Sequence, residues 1–410
     1  MATALAVFLG TYFLIAARRF RLLHIGRPAG ALLGAVSMVL FGVLSPEEAF
    51  AAVDLPTLGL LFGMMVLSVY LEEAGFFGAL AAATLRRSSS PGTLLGAVVW
   101  VSGISSAFLL NDTVCLVMTP ILVTLVIALR LDPLPYLLAL ATSANIGSAA
   151  TLAGNPQNML VGTASGIPYR EFLSVMAPVA VLCLALNHAL LLAVFRSRLA
   201  PAQAVAPAHF PHRVRRPMLV KTLAALAGVV AAWLLGADLA SAAVAGAALA
   251  ILLNRFSPAP LFARLDWSLL VFFAALFVVI EGVSHAGCLT AAREWLPRSS
   301  NPLGATAFAL LSVAGSNLFS NAPFVMAAGG WVGSLPDARL HWYLLALTST
   351  FAGNLTLVGS MANLIVAELS KGLHPIGFRE YLRYGVLITV VTTVVGVVYL
   401  LAVSAWIPHP

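Results

Sequence analysis

The feature that most constrains this chain is a set of polar islands set in the middle of apolar runs. Between Leu109 and Gly162, Asn111, Asp112 and Thr113 divide one pair of apolar arms. Asn145, Gly147, Ser148, Gly154, Asn155, Pro156, Gln157 and Asn158 then interrupt the next run. Hydrocarbon supplies no water to such groups, so they must face protein or a wet cavity. Apolar runs recur along the whole chain, in which 61% of residues are hydrophobic and 9% charged. A soluble domain carries about 25% charged residues. The reading is an all-α polytopic membrane protein.

The formal net charge of +7 does not point to nucleic acid, because the basic residues lie between the apolar runs, where cytoplasmic loops of membrane proteins collect them. Spans are expected at about Ala2–Ala17, Pro28–Leu44, Leu55–Leu71, Tyr136–Gly166 (broken) and Phe172–Phe195. After a basic linker they continue at Met218–Gly236, Leu239–Leu253, Trp267–Val283, His341–Leu369 (broken) and Ile376–Ile407. Two further apolar pairs flank polar tips, at about 93–129 and 302–332, and read as re-entrant hairpins, since several arms fall short of the roughly 20 residues that a crossing needs. For the first pair, length also allows two full crossings. The basic cluster of Arg18, Arg19 and Arg21 follows the first run, which suits a first span better than a signal peptide. With both termini outside, eighteen of the 22 Lys and Arg residues fall inside, Arg27 among them, and only Arg170, Arg293, Arg298 and Arg339 fall outside.

The linker at 196–217 divides the chain into 1–195 and 218–410, each with five spans and one hairpin. Five is odd, so the second half is expected to be inverted in the membrane. Asn111 at the first tip is matched by Asn321 in the second, and Asn145–Asn158 by Asn354–Asn363. Inverted repeats with paired broken helices imply alternating-access transport, with the site near the midplane.

Hairpin tips and helix breaks leave backbone groups unpaired. Helix N-termini favour oxygen-rich solutes, unwound carbonyls can hold a cation, and Asn, Ser and Thr both donate and accept. The expected solute cage is Asn111, Thr113, Gly154, Asn155, Asn158, Ser320, Asn321, Gly359, Ser360 and Asn363, uncharged apart from Asp112. Asn145, Ser148, Asn354 and Thr356 are secondary candidates for a coupling ion. Asp112 is the acidic residue of these stretches, and its counterpart is Ala322. Burial penalises a charged carboxylate, so Asp112 is the expected proton carrier, although it also stands where it could cap a helix. Glu171, Glu281, Glu368 and His188 are weaker candidates. No phosphate loop, metal-ligand spacing or nucleophile constellation is present in the sequence, so no cofactor and no enzymatic activity are expected.

At these residues the chain resembles the ion transporter superfamily, which includes arsenite permeases, plant silicon efflux transporters and sodium-coupled divalent-anion symporters. The stretches that carry the resemblance are IGRPAGALLGAV (Ile25–Val36), SPEEAFAAVDLPTLGLLFGMMVLSVYLE (Ser45–Glu72), NDTVCLVMTP (Asn111–Pro120), SANIGSAATLAGNPQN (Ser143–Asn158) and AGNLTLVGSMANLIVAE (Ala352–Glu368). The arsenite and silicon branch is the nearer one. The resemblance implies two inverted repeats, a homodimer, and scaffold and transport domains that move past each other. The divalent-anion symporters carry Ser-Asn-Thr at both tips; here the tips are Leu110-Asn111-Asp112-Thr113 and Ser320-Asn321-Ala322. The added carboxylate would repel a dicarboxylate and suits a neutral hydroxylated solute.

The expected function is a proton-coupled exporter of silicic acid or arsenite in the plasma membrane, that of a bacterium by preference. The alternative is a sodium- or proton-coupled transporter of inorganic or carboxylate anions. A pump subunit working with a separate ATPase and a simple channel fit the pattern less well.

Overall fold

The computed structural model describes residues 1–16, 26–199, 213–255, 257–288, 302–335 and 337–407. Arg18, Arg19, Arg21, Arg293, Arg298 and the centre of the basic linker lie outside the described residues. The first half contains α1 (Ala2–Ala16), α2 (Arg27–Leu40), α3 (Pro46–Ala51), α4 (Leu55–Glu73), α5 (Phe76–Arg87), α6 (Pro91–Phe108), α7 (Asn111–Ala128), α8 (Pro133–Ser148), α9 (Pro156–Ser165) and α10 (Tyr169–Val194). The second contains α11 (Arg216–Leu234), α12 (Leu239–Asn254), α13 (Ala259–Phe262), α14 (Trp267–His285), α15 (Pro302–Phe319), α16 (Asn321–Val332), α17 (Ala338–Ala352), α18 (Met361–Leu369) and α19 (Phe378–Val403).

Element for element, α1–α4 recur as α11–α14 and α6–α10 as α15–α19. The halves also pack reciprocally. α4 lies along α12 and α2 along α14; α7 meets α18, α16 meets α9, and α10 meets α19. Small residues allow the close crossings: a Cβ on Gly63 of α4 would lie 2.6 Å from the Ala243 backbone of α12.

Eight helices among the described residues are long and apolar enough to cross a membrane. They are not the ten expected spans. α6, α7 and α15 are hairpin arms that reach 18 residues, while α8, α9, α17 and α18 are short because their spans are broken. The sequence reading passed over α5, whose 12 residues end in Arg86 and Arg87 and are too few to cross. The first hairpin ends inside the protein: Leu109, Leu110 and Asn111 are all buried, which an exposed loop between two crossings would not allow.

Outward faces are apolar. Val386, Val390, Val394 and Val398 form an exposed stripe at four-residue spacing on α19, and Leu5, Leu9 and Phe13 do the same on α1, as lipid contact requires. Inside, α1, α2, α3 and α14 share a small apolar core around Ile15, Ala31, Met38, Leu276 and Val279, separate from the main core. The second hairpin packs against this unit, with Met326 at the small core and Phe319 against Phe8 and Tyr12 of α1.

Candidate solute site between hairpin tips and helix breaks

Six helix N-termini converge on one cavity of about 370 Å³, those of α2, α7, α9, α14, α16 and α18. Each begins with polar or small residues at the wall: Gly26 and Arg27, Asn111 and Asp112, Pro156 and Gln157, Asp266 and Ser268, Ser320 and Asn321, Gly359 and Ser360. First-turn N–H groups lack helical partners, so the cavity carries the positive ends of several helix dipoles. A solute with several oxygens matches such a wall.

The tips are held by the breaks of their own half. Asn111 donates its backbone N–H to Gly154 O at 3.0 Å and its side-chain amide to Asn145 Oδ1 at 3.0 Å. Its Oδ1 is buried and has no hydrogen-bond partner among the described residues. Asn321, with its amide oriented by the hydrogen-bond network, donates to Gly359 O at 3.3 Å and Ser349 O at 3.2 Å. Gly154 admits no side chain, because a Cβ there would strike the Ser148 and Ser106 carbonyls.

The breaks are tied by two equivalent asparagines. Asn158 Nδ2 donates to Ser148 O at 3.3 Å and Thr151 O at 2.9 Å. Asn363 Nδ2 donates to Gly353 O at 2.7 Å and Thr356 O at 3.1 Å, carbonyls at the same offsets along the chain. Their amides satisfy the carbonyls that the break exposes. Neither residue lines the cavity.

A hub joins each break to the other half. Asn145 Oδ1 accepts from Asn111 and from Ser360 Oγ, each at 3.0 Å, while its Nδ2 donates to Asn354 Oδ1 at 2.8 Å and Asn363 Oδ1 at 3.1 Å. This uses the hydrogen-bonding capacity of one amide. The matching position, thirteen residues before Asn363 as Asn145 is before Asn158, is Thr350 and not Asn354, the match read from the sequence. Thr350 Oγ1 accepts from Asn155 Nδ2 at 3.3 Å and Gln157 Nε2 at 3.4 Å and donates to Asn158 Oδ1 at 3.4 Å.

Of the expected cage, Asn111, Ser320, Asn321, Gly359 and Ser360 stand at the wall with Asp112. Asn155 caps α9 through Asn158 N at 2.8 Å and, like Gly154, sits behind the wall. Thr113 lies one residue beyond Asp112 and outside the lining. Ser148 is buried, donating to Asn145 O and accepting from Asn155, and Asn354 Nδ2 reaches Thr142 O. Thr356 Oγ1 donates to Asn317 Oδ1 at 3.3 Å. Glu171 belongs to a separate cluster, bound by Arg339 at 3.0 and 3.1 Å and by Tyr343 at 3.1 Å. Glu281 and Glu368 are exposed, and His188 packs over Gly96.

The expected absence of fixed charge apart from Asp112 does not hold. Arg27 and Asp266, both passed over as ligands, line the same cavity. Asp266 caps α14, with Oδ1 accepting from Leu269 N at 3.1 Å and from Ser268 Oγ. Arg27 had a sequence signal: it immediately precedes Pro28 at the start of an apolar run. A helix N-terminus disfavours a cation, so an arginine there needs negative charge nearby.

A family model described as CitMHS, citrate transporter, matches residues 12–352. The silicon efflux transporter LSI3 of Oryza sativa subsp. japonica is 32% identical, over 92% of both chains. The putative transporter arsB of Dictyostelium discoideum is 28% identical, over 92% of this chain and 87% of that one. The YdaH transporter of Alcanivorax borkumensis has a similar fold, with a TM-score of 0.60 over 98% of both chains at 17% identity. The superfamily resemblance read from the motifs therefore holds, and the multi-pass helical architecture with it. This chain is a membrane transporter and belongs to the CitMHS citrate-transporter family of the ion transporter superfamily.

Proposed function

We propose that the chain is a secondary active transporter that exports a small metalloid oxyacid, silicic acid or arsenite, in exchange for protons by alternating access. The observation that carries this reading is the placement of Asp112 beside Asn111 and near Asn321 on the wall of one cavity. A neutral hydroxylated solute both donates and accepts: Asn111 Oδ1 offers an acceptor and the helix N-termini offer donors. A proton on Asp112 turns one carboxylate oxygen from acceptor to donor, so proton and solute hydroxyl compete for that oxygen, as exchange requires. The relatives named for silicon efflux and arsB support this substrate class. Inverted halves and external termini belong to the same reading, supported by the reciprocal packing and the charge distribution; a plasma-membrane location and a homodimer are part of it as what the family resemblance implies.

Arg27 favours a second reading, coupled transport of an inorganic or carboxylate anion, because a guanidinium pairs well with such oxygens. Sodium would suit that reading: Asn111 Oδ1 and the buried hydroxyls of Ser106 and Ser316 lack partners among the described residues.

The test is transport by purified protein in liposomes with an imposed pH gradient, comparing germanic acid, arsenite and succinate with and without sodium. Gradient-driven movement of a neutral oxyacid without sodium is expected, and Asp112→Asn should reduce it to the background of empty liposomes. Sodium-dependent succinate movement with no response to the oxyacids would transfer the assignment to the anion carrier.

A further inference from the structure

Arg27 and Asp266 reach the cavity from the starts of α2 and α14, whereas Asp112 reaches it from the start of α7. They are 85 and 154 residues from Asp112 in sequence, and they carry opposite charges. We propose that Arg27 and Asp266 are the positioning pair for proton transfer at Asp112, two opposed charges that share the cavity wall with its carboxylate and set how tightly it holds a proton. The inference rests on the proton-carrier reading of Asp112 given above and adds the residues that tune it.

The three carboxylate and guanidinium groups line a common space of about 370 Å³, so they are neighbours. Arg27 and Asp266 share the wall with Asp112, so their charges act on its carboxylate through the cavity. Within a protein, a charge so placed is screened much less than at the surface. Asp266 is held in place by capping its own helix, and Arg27 is fixed at the first turn of α2. Asp266 cannot withdraw without uncapping α14.

The other titratable groups packed against this region do not compete for the role. Cys115 lies one turn along α7; it and Tyr381 of α19 are buried away from the cavity, and their ordinary pKa values leave them neutral near pH 7. Gln157 of α9 and the Asn321–Pro323 turn of α16 are unionisable. Tyr70, Glu72 and Glu73 of α4, Arg86 and Arg87 of α5, Tyr136 of α8 and Glu368 of α18 do not line the cavity. Among the described residues, Arg27 is the one basic side chain at the wall.

The arrangement gives the cavity two electrostatic states. With Asp112 charged, it and Asp266 outweigh Arg27 by one negative charge; with Asp112 protonated, Arg27 and Asp266 balance. Loading the proton therefore leaves a cavity without net side-chain charge. The geometry ties the charge of the solute space to one proton.

The experiment titrates Asp112 in the purified full chain by infrared difference spectroscopy, following the protonated carboxyl C=O band that Asp112→Asn removes. Arg27→Gln should move the midpoint to higher pH and Asp266→Asn to lower pH, each by about one unit or a tenfold change in proton affinity. Arg27→Lys, which keeps the charge, should return the midpoint close to the native one. Unchanged midpoints in both neutral variants, with melting temperatures near native, would overturn the proposal. So would shifts in the same direction, which mark a structural disturbance and not two opposed charges. This readout needs no substrate. Opposed shifts in a protein that moves neither germanic acid nor arsenite would leave the positioning pair standing and overturn the export reading alone.

Discussion

The two hubs hold their broken helices with the same geometry and different chemistry. Asn145 takes four partners between 2.8 and 3.1 Å, whereas Thr350 takes three between 3.3 and 3.4 Å. Asn145 secures the start of α18, against which α7 packs; Thr350 secures the start of α9, against which α16 packs. The tips differ in the same sense. Leu110 turns the first hairpin with φ −57°, an ordinary backbone, while Ser320 turns the second with φ 73° and ψ 152°. That second conformation is one that essentially only glycine adopts freely. The halves thus repeat the architecture but not the firmness: the α7–α18 contact is secured by short bonds and relaxed backbone, the α9–α16 contact by long bonds and a strained turn.

Three comparisons break or sharpen this contrast. The largest effect is expected at the hubs. Asn145→Leu strands several buried polar groups and should lower stability by about 3 kcal/mol, against about 1 kcal/mol for Thr350→Val. Thermal melting in detergent compares them, and equal losses would end the distinction. At the tips, Ser320→Gly should raise stability by about 1 kcal/mol by relieving the positive φ, whereas Leu110→Gly should lower it, since glycine gains nothing there and adds chain entropy. A Ser320→Gly variant that melts below the native protein would show that the Ser320 side chain matters more than its backbone.

The smallest effect concerns the helix starts. Gly26 offers α2 no side-chain cap, whereas Asp238 caps its counterpart α12 through Ser241 N at 2.8 Å. Hydrogen bonds from the Ser241 side chain and backbone hold the Asp238 carboxyl below the usual carboxylate range. A lowered value in the folded state means stability that is present above the unfolded value of about 3.9 and lost as pH falls through the folded one. Asp238→Ala should therefore cost about 0.5 kcal/mol at neutral pH and progressively less in acid. A melting difference that persists unchanged at pH 2 would assign the loss to packing.

Much of the architecture was legible because the membrane is an unforgiving solvent. Hydrocarbon compels every polar residue within an apolar run to have a reason, so Asn111, Asp112, the 145–158 break and its partner at 354–363 stood out at once. Helix starts carried a signal that the expected bounds do not use: Pro91, Pro133 and Pro156 open their helices at first-turn positions, whereas the expected segments begin at about 93 and 136. What those polar residues do was not readable. An asparagine that clamps a broken helix and one that faces a solute have the same local sequence. Asn158 and Asn363 prove to be clamps, and Asn145 a hub, only when the carbonyls and amides around them are located.

Charge shows the same division. By itself the sequence determined a helical membrane transporter with paired tips and breaks, because periodic apolarity and interrupted runs are local properties of the chain. Tertiary structure alone decided that Arg27, Asp112 and Asp266 share one cavity. In the sequence, Arg27 resembles a loop charge and Asp266 a helix cap. Their electrostatic meaning depends on distances between segments far apart along the chain, and only packing sets those distances.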